Sequence, residues 1–214
     1  MTFSLVTPYV TDMGLEAIEK ILDLLSDRNP GSEVVFNDWG VLELLQDRFP
    51  MFVPVMGRLL NKNKRGPRLM NIFSKLPLPT KKYYTGSNLD VSYAIKFLKK
   101  YNVARVEFDN LLQDINFADM DKTIKKSVYI TFVFVSTTRL CLSANCDNPR
   151  YKDYIGVFSC NKECQKYTFY LENPVMGVTL IRQGNTIFFL NERIPGAVSA
   201  GLVDRVVVEP EIPI

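Results

Sequence analysis

All four cysteines of this chain fall within one short stretch, at Cys141, Cys146, Cys160 and Cys164. Four thiolates brought together complete the ligand shell of a structural zinc ion or of an iron–sulfur cluster. The chain contains no histidine, which excludes imidazole-rich metal sites and any catalytic dyad that depends on imidazole. The cysteines are therefore the strongest candidates for chemistry in this sequence.

The cysteine spacing is Cys-x4-Cys-x13-Cys-x3-Cys. Zinc ribbons commonly use tighter Cys-x2-Cys pairs, and wider, uneven spacing suits the separate corners of an iron–sulfur cluster. The spacing favours iron–sulfur and leaves zinc as the alternative. Four unrelated core cysteines are a third interpretation, because free cysteine is often buried. The residues around the cysteines argue against it, since they form a polar loop: Ser143, Asn145, Asp147, Asn148, Pro149, Arg150 and Lys152.

Composition indicates one soluble, globular domain over residues 1–214, with 47% hydrophobic and 23% charged residues. The net charge of +3 is too small to argue for nucleic acid by itself. The longest apolar run, residues 128–135, is too short for a membrane span. We therefore expect a cytoplasmic protein, in which thiols stay reduced and metal ligation is favoured over disulfides.

Strand and helix patterns alternate along the chain, which predicts an α/β fold with a mainly parallel sheet. Apolar residues at helical spacing predict helices over residues 14–26, 41–49 and 91–98, and the basic stretch 61–82 resembles a long loop with one helical turn. A small antiparallel excursion is expected over residues 166–191. Candidate parallel strands cover residues 4–8, 33–37, 51–55, 104–108, 128–135 and 203–209.

Six strands are two fewer than a TIM barrel needs, so we expect an incomplete TIM-like barrel. In parallel α/β folds the chemistry collects where the strands end. A cysteine-rich loop over residues 139–165 should extend from that face. Other polar residues at these strand ends are Asp109 and Glu209, and the candidate substrate-binding residues are Asn37, Asp38, Arg58 and Arg139.

Each of these candidates has a simpler alternative role. Asn37 or Asp38 suits the cap of the following helix, where such residues are preferred. Arg58 and the basic stretch are suited to a carboxylate, a phosphate or an RNA backbone, but they equally suit a solvated surface. Arg139, just before the cysteines, suits an anion or the cluster sulfurs, or else an ordinary ion pair at the rim.

Five segments, taken in order, resemble peptidase family U-thirty-two, and within it the iron–sulfur branch of the ubiquinone-biosynthesis proteins UbiU and UbiV. The resemblance covers nearly the whole chain. The segments are Asn-Asp-Trp-Gly-Val-Leu (37–42), Val-Met-Gly-Arg-Leu-Leu-Asn-Lys (55–62), Ser-Thr-Thr-Arg-Leu-Cys (136–141), Phe-Phe-Leu-Asn (188–191) and Gly-Leu-Val-Asp-Arg-Val-Val (201–207).

The resemblance implies a TIM-barrel-like fold, a 4Fe-4S cluster on four cysteines, and oxygen-independent hydroxylation or a related modification of a small molecule or RNA. Cys160 and Cys164 match the family's Cys-x3-Cys pair, and either Cys141 or Cys146 takes its third position. The remaining cysteine would replace a ligand that family members carry in two earlier barrel strands. An edge left open there favours a homo- or hetero-oligomer, for example with a longer relative. Peptidase activity is not expected, and a zinc-stabilised binding module or an inactive partner subunit are the alternatives.

Overall fold

A computed structural model describes residues 3–138, 140–150 and 159–213 of the chain. The strands are β1 (Ser4–Val6), β2 (Glu33–Phe36), β3 (Val53–Met56), β4 (Arg105–Asp109), β5 (Lys125–Thr137), β6 (Phe169–Leu171), β7 (Leu180–Gln183), β8 (Thr186–Asn191) and β9 (Arg205–Val208). The helices are α1 (Asp12–Arg28), α2 (Trp39–Arg48), α3 (Met70–Phe73), α4 (Leu78–Thr85), α5 (Ser92–Lys100) and α6 (Gly196–Ser199).

The sheet confirms the predicted mixture of parallel and antiparallel pairing. Its strand order is β1-β2-β3-β4-β5-β8-β7-β6, and β9 pairs with β5 beside this path. The first five strands and β9 pair in parallel, whereas β6, β7 and β8 form the antiparallel excursion. The basic stretch 61–82, expected to be a long loop with one helical turn, contains α3 and also the start of α4.

Pro54 lies inside β3 although proline cannot donate to a sheet ladder. The register explains why it is tolerated there. Pro54 pairs with Val34 of β2, but pairing with β4 on the other side begins only at Val55. Its missing N–H therefore leaves no bond to β4 unmade.

Ion pairs across one face show that the sheet is curled into an open half-barrel. Glu33 of β2 pairs with Arg205 of β9, although three strands separate these two in the sheet. Arg105 of β4 lies between them, at 3.6 Å from Glu33 and 2.6 Å from Asp204. Within the described residues β1 pairs only with β2, and β9 pairs only with β5, so the barrel is not closed. The homo- or hetero-oligomer expected from an open sheet edge stays a prediction.

The convex face carries the hydrophobic core and the helices. Successive side chains of a strand point to opposite faces, so the apolar residues of β4 face outward while its charged residues face the concave side. The core joins Val34, Phe36, Met56, Val106, Phe108 and Val128 of the strands to Ile18, Leu22, Leu45 and Leu98 of the helices.

No helix in the described part of the chain is long and apolar enough to cross a membrane.

The carboxyl end of β3 is tied to the loops that follow β1 and β2. Asn37 donates to the Thr7 carbonyl at 2.8 Å and accepts from the Leu59 backbone at 3.1 Å. A Cβ at Gly57 would overlap the Asn37 side chain. This glycine therefore permits the close approach that places the segment after β3.

We predict that Gly57→Ala lowers the free energy of unfolding by about 1–3 kcal/mol, because the added methyl forces Asn37 from its two hydrogen bonds. The matched control is Gly66→Ala, where a Cβ would meet nothing within 4 Å. That variant should stay within about 0.5 kcal/mol of the wild type. Urea denaturation checks both, and equal stability of the two variants would contradict the packing described here.

Candidate functional site

A buried group of charges, which we call the rim cluster, joins the carboxyl ends of β3, β4 and β9. It consists of Arg58, Arg65, Asp109 and Glu209. Arg58 lies 3.2 Å from Asp109 and makes a paired contact with Glu209 at 2.6 and 3.2 Å. Its guanidinium also donates to the Phe132 carbonyl at 3.0 Å. One cation thus links three strands at the rim.

Burial favours the neutral form of Arg58. The nearby carboxylates of Asp109 and Glu209 outweigh this effect of burial and raise the pKa of the guanidinium. Burial also raises the pKa of Glu209 to about 7, although Arg58 acts in the opposite direction. Asp109 is held further by Arg65, at 3.0 Å, and by the backbone N–H of Phe134, at 2.9 Å. The rim cluster therefore has few polar atoms left for a ligand.

A second acidic residue lies deeper in the concave face, next to the rim cluster. Glu107 is only 3% exposed. One of its oxygens accepts from the Tyr129 hydroxyl at 3.1 Å, and the other has no hydrogen-bond partner among the residues that the structure describes. The ring of Tyr129 lies 4.1 Å from the guanidinium carbon of Arg58. Burial raises the pKa of Glu107 to about 7, against the Tyr129 hydrogen bond and the charge of Arg58.

An open cavity of about 670 Å³, which we call the rim pocket, lies beside the rim cluster. Lys62 and Arg65 are the charged residues in its described lining. Arg65 is paired with Asp109, so the positive charge that faces the pocket comes from Lys62, which has no ion-pair partner among the described residues. Such a lining suits a small molecule with a carboxylate or phosphate. Hydrogen-bonding groups come from Tyr9, Thr11, Ser136, Thr137, Thr138 and Asn185.

The cysteine loop begins at the wall of this pocket. The Asn185 side chain donates to the Thr138 carbonyl at 2.7 Å, which fixes the β7–β8 turn against the end of β5. Gly184 in that turn has φ +59°, and a Cβ there would lie 3.7 Å from the Cys164 sulfur. The Ser143 hydroxyl donates to the Gly184 carbonyl at 3.1 Å. The turn thus contacts both cysteine-bearing segments.

Direct hydrogen bonds also join these two segments. The Asn145 side chain donates to the Ser159 carbonyl at 3.0 Å. Glu163 is buried, and its carboxylate accepts from the backbone of Asn161 at 3.2 Å. Hydrogen bonds from the backbone N–H groups of Glu163 itself, Asn161 and Asn145 lower the pKa of this carboxylate. Glu163 therefore acts as an internal acceptor for backbone N–H groups of both described cysteine segments.

The four cysteines are free thiols, with Cys141 and Cys164 half-buried and Cys146 and Cys160 exposed. Burial, Asp147 and Glu163 raise the pKa of the Cys146 thiol. In residues 3–138, 140–150 and 159–213, no three cysteine or carboxylate side chains are arranged to hold a metal ion. The segments are joined there, but their sulfurs are not gathered around one point.

The structure assigns positions to three of the four predicted substrate-binding residues. Asp38 caps α2, because its side chain accepts from the Gly40 backbone at 2.8 Å. Asn37 positions loops, and the guanidinium of Arg58 is engaged within the rim cluster. Arg139 lies outside the described residues. The structure brings Asn37 close to the segment of Arg58, and it places the cysteine loop beside the same rim.

Sequence reasoning missed Glu107 and Tyr129 as neighbours of the rim cluster, whereas it placed Lys62 and Arg65 in a basic stretch suited to a carboxylate or a phosphate. A signal for Glu107 was present in the Arg-Val-Glu-Phe-Asp run of β4, in which charged and apolar residues alternate and all five are buried. Charges at every second position of a central strand indicate a polar barrel interior.

No family model, no curated protein and no solved structure matches this chain.

Glu107 gives a testable pH dependence of stability. Because its pKa is raised from 4.5 to about 7 in the folded state, the folded protein binds this proton more tightly than the unfolded chain. The stabilisation that this bound proton contributes is complete below about pH 4.5 and is lost as the pH rises through 7. We predict that the free energy of unfolding of Glu107→Gln, relative to that of the wild type, increases by about 2–3 kcal/mol between pH 4.5 and pH 8.

Guanidinium denaturation at a series of pH values measures this difference. Glu16→Gln, on the exposed side of α1, is the control and should follow the wild type at every pH. A Glu107→Gln variant that also follows the wild type throughout would show that this carboxyl group is not buried as described.

Proposed function

We propose that this chain is an iron–sulfur protein in which Cys141, Cys146, Cys160 and Cys164 hold a 4Fe-4S cluster. The observation that supports it is the joining of the two cysteine segments at the carboxyl rim, through Gly184. Four free thiols are the donor set that such a cluster takes. Since the described sulfurs are not gathered, we propose that the loop closes around the cluster as it binds, as metal binding and folding are commonly coupled.

A bound cluster supplies one-electron transfer or polarises a substrate oxygen at the rim. The chain's own residues supply the substrate side. Lys62 attracts an anionic group into the rim pocket, and hydroxyl groups on its walls orient it. The end of β5 forms one wall of this pocket and leads directly into the cysteine loop. This adjacency supports the proposal that an anion in the rim pocket lies next to the cluster.

The reaction class we propose is an oxygen-independent hydroxylation or related modification, on an incomplete TIM-like barrel, as the resemblance to the UbiU and UbiV branch implies. Hydrolysis of peptides is a poor alternative, because the chain has no histidine for a Ser–His or Cys–His dyad. The polar, positive rim pocket fits a small anionic substrate better than an extended apolar peptide.

We predict that protein purified without oxygen is brown and contains about four iron and four acid-labile sulfide per chain. Cys160→Ser should lose most of both, because it removes one of the four ligands. The matched control is Ser159→Ala, since the Asn145 side chain bonds the backbone carbonyl of this residue and not its hydroxyl. Colourless protein with one zinc per chain would contradict the cluster and favour the zinc alternative.

The rim pocket has its own prediction. Lys62→Gln should weaken binding of benzoate or inorganic phosphate about three- to tenfold, because it removes one of the two cations of the lining. Lys96→Gln, exposed on α5, is the control and should leave the affinity unchanged. Isothermal calorimetry measures both, and an equal effect of the two substitutions would remove the pocket from the proposal. Stronger loss of RNA binding than of anion binding would favour the RNA alternative.

A further inference from the structure

A second cavity of about 670 Å³ lies on the helix-covered, convex side of the sheet. It forms an open groove between α2 and α5, with buried Met56 and Leu98 among its lining residues. It shares no lining residue with the rim pocket. Whatever occupies this groove therefore does so independently of the proposed cluster.

The two helices present different stripes to the groove. On α2, Trp39 is followed at intervals of four by Glu43 and Asp47, and on α5 the aromatic residues recur in the same way. Residues four apart lie on one face of a helix. One wall is therefore acidic with a tryptophan at its amino end, and the opposite wall is aromatic: Tyr93, Phe97 and Tyr101.

The aromatic rings contact one another in a continuous row. The rings of Trp39 and Phe97 meet edge to face at 5.4 Å, and those of Phe97 and Tyr101 lie 4.7 Å apart. Trp39 is nevertheless 49% exposed, and Tyr93 is 79% exposed. The core thus leaves much of these rings uncovered on the side that faces the groove.

The charge of the groove has one sign. Glu43 and Asp47 are the charged residues of its described lining, and neither has an ion-pair partner within the described residues. A cation already approaches one ring from outside, since the Lys100 ammonium lies 5.1 Å from the Tyr101 ring centre. Rings of this kind attract cations through their negative faces, and tryptophan does so most strongly.

We propose that this groove binds a small organic cation, namely an alkylated ammonium group carried on an aromatic or aliphatic body. The ammonium lies between Trp39 and the two carboxylates, and the apolar body follows the aromatic row toward Tyr101. The cavity volume is within the range of small-molecule sites, and the combination of aromatic faces with unpaired carboxylates matches such a ligand in both charge and surface.

The test uses Trp39 as its reporter, because it is the only tryptophan in the chain. The probe is trimethyl(2-phenylethyl)ammonium, and 2-methyl-4-phenylbutan-2-ol is its neutral counterpart of similar shape. The ammonium probe should quench or shift the tryptophan emission in a saturable way. The neutral alcohol should bind roughly fivefold or more weakly, because it has the same body without the charge.

The double variant Glu43→Gln with Asp47→Asn should weaken the ammonium probe about tenfold, while circular dichroism shows an unchanged fold. The control is Glu16→Gln with Asp23→Asn, which removes two exposed carboxylates from α1 and should bind like the wild type. Equal affinity for probe and alcohol, or equal loss in both double variants, would overturn the proposal. Binding of a basic helical peptide without binding of the ammonium probe would overturn it as well, in favour of a protein partner.

Discussion

The rim of this fold depends on one buried cation placed between two carboxylates. Arg58 follows β3 and contacts both Asp109, which ends β4, and Glu209, which follows β9. The contact with Glu209 joins β3 to β9, two strands that the sheet does not pair directly. Buried charges are tolerated only when they are paired and hydrogen-bonded, and removal of one partner is strongly destabilising. The same rule applies at the other end of the strands, where Arg105 and Arg205 share Glu33. These pairs stabilise the curl of the sheet.

β5 connects this charged interior to the cysteine loop. Its first half pairs in parallel with β4 and β9, and its second half pairs antiparallel with β8. The change occurs at Thr131, which has φ +85°, an unusual conformation for a β-branched residue. The adjacent Phe132 carbonyl accepts from Arg58, and the Phe134 N–H donates to Asp109. The rim cluster therefore stabilises the bend that directs β5 toward the rim pocket and the cysteines.

The strands and the cap of α2 could be predicted because they depend on local patterns: apolar runs, alternation and an aspartate before a helix. The partners of Arg58 could not be predicted from local patterns, because Asp109 and Glu209 lie 51 and 151 residues away in the chain. Their meeting follows from the curl of the sheet, which no local pattern encodes. The stretch 61–82, expected to be a long loop with one helical turn, contains α3 and also the start of α4. The start of α4 has no signal in the sequence, because no residue of α3 or α4 is buried and no apolar stripe at helical spacing marks them.

We propose that four sulfurs at the rim of the curled, charge-lined sheet share one iron–sulfur centre. Anomalous X-ray diffraction at the iron edge, on crystals grown without oxygen, tests it most directly. The account predicts one strong iron peak beside the β7–β8 turn, bonded to Cys141, Cys146, Cys160 and Cys164. A peak at the zinc edge alone, or a structure in which these cysteines point away from one another with no metal between them, would contradict it.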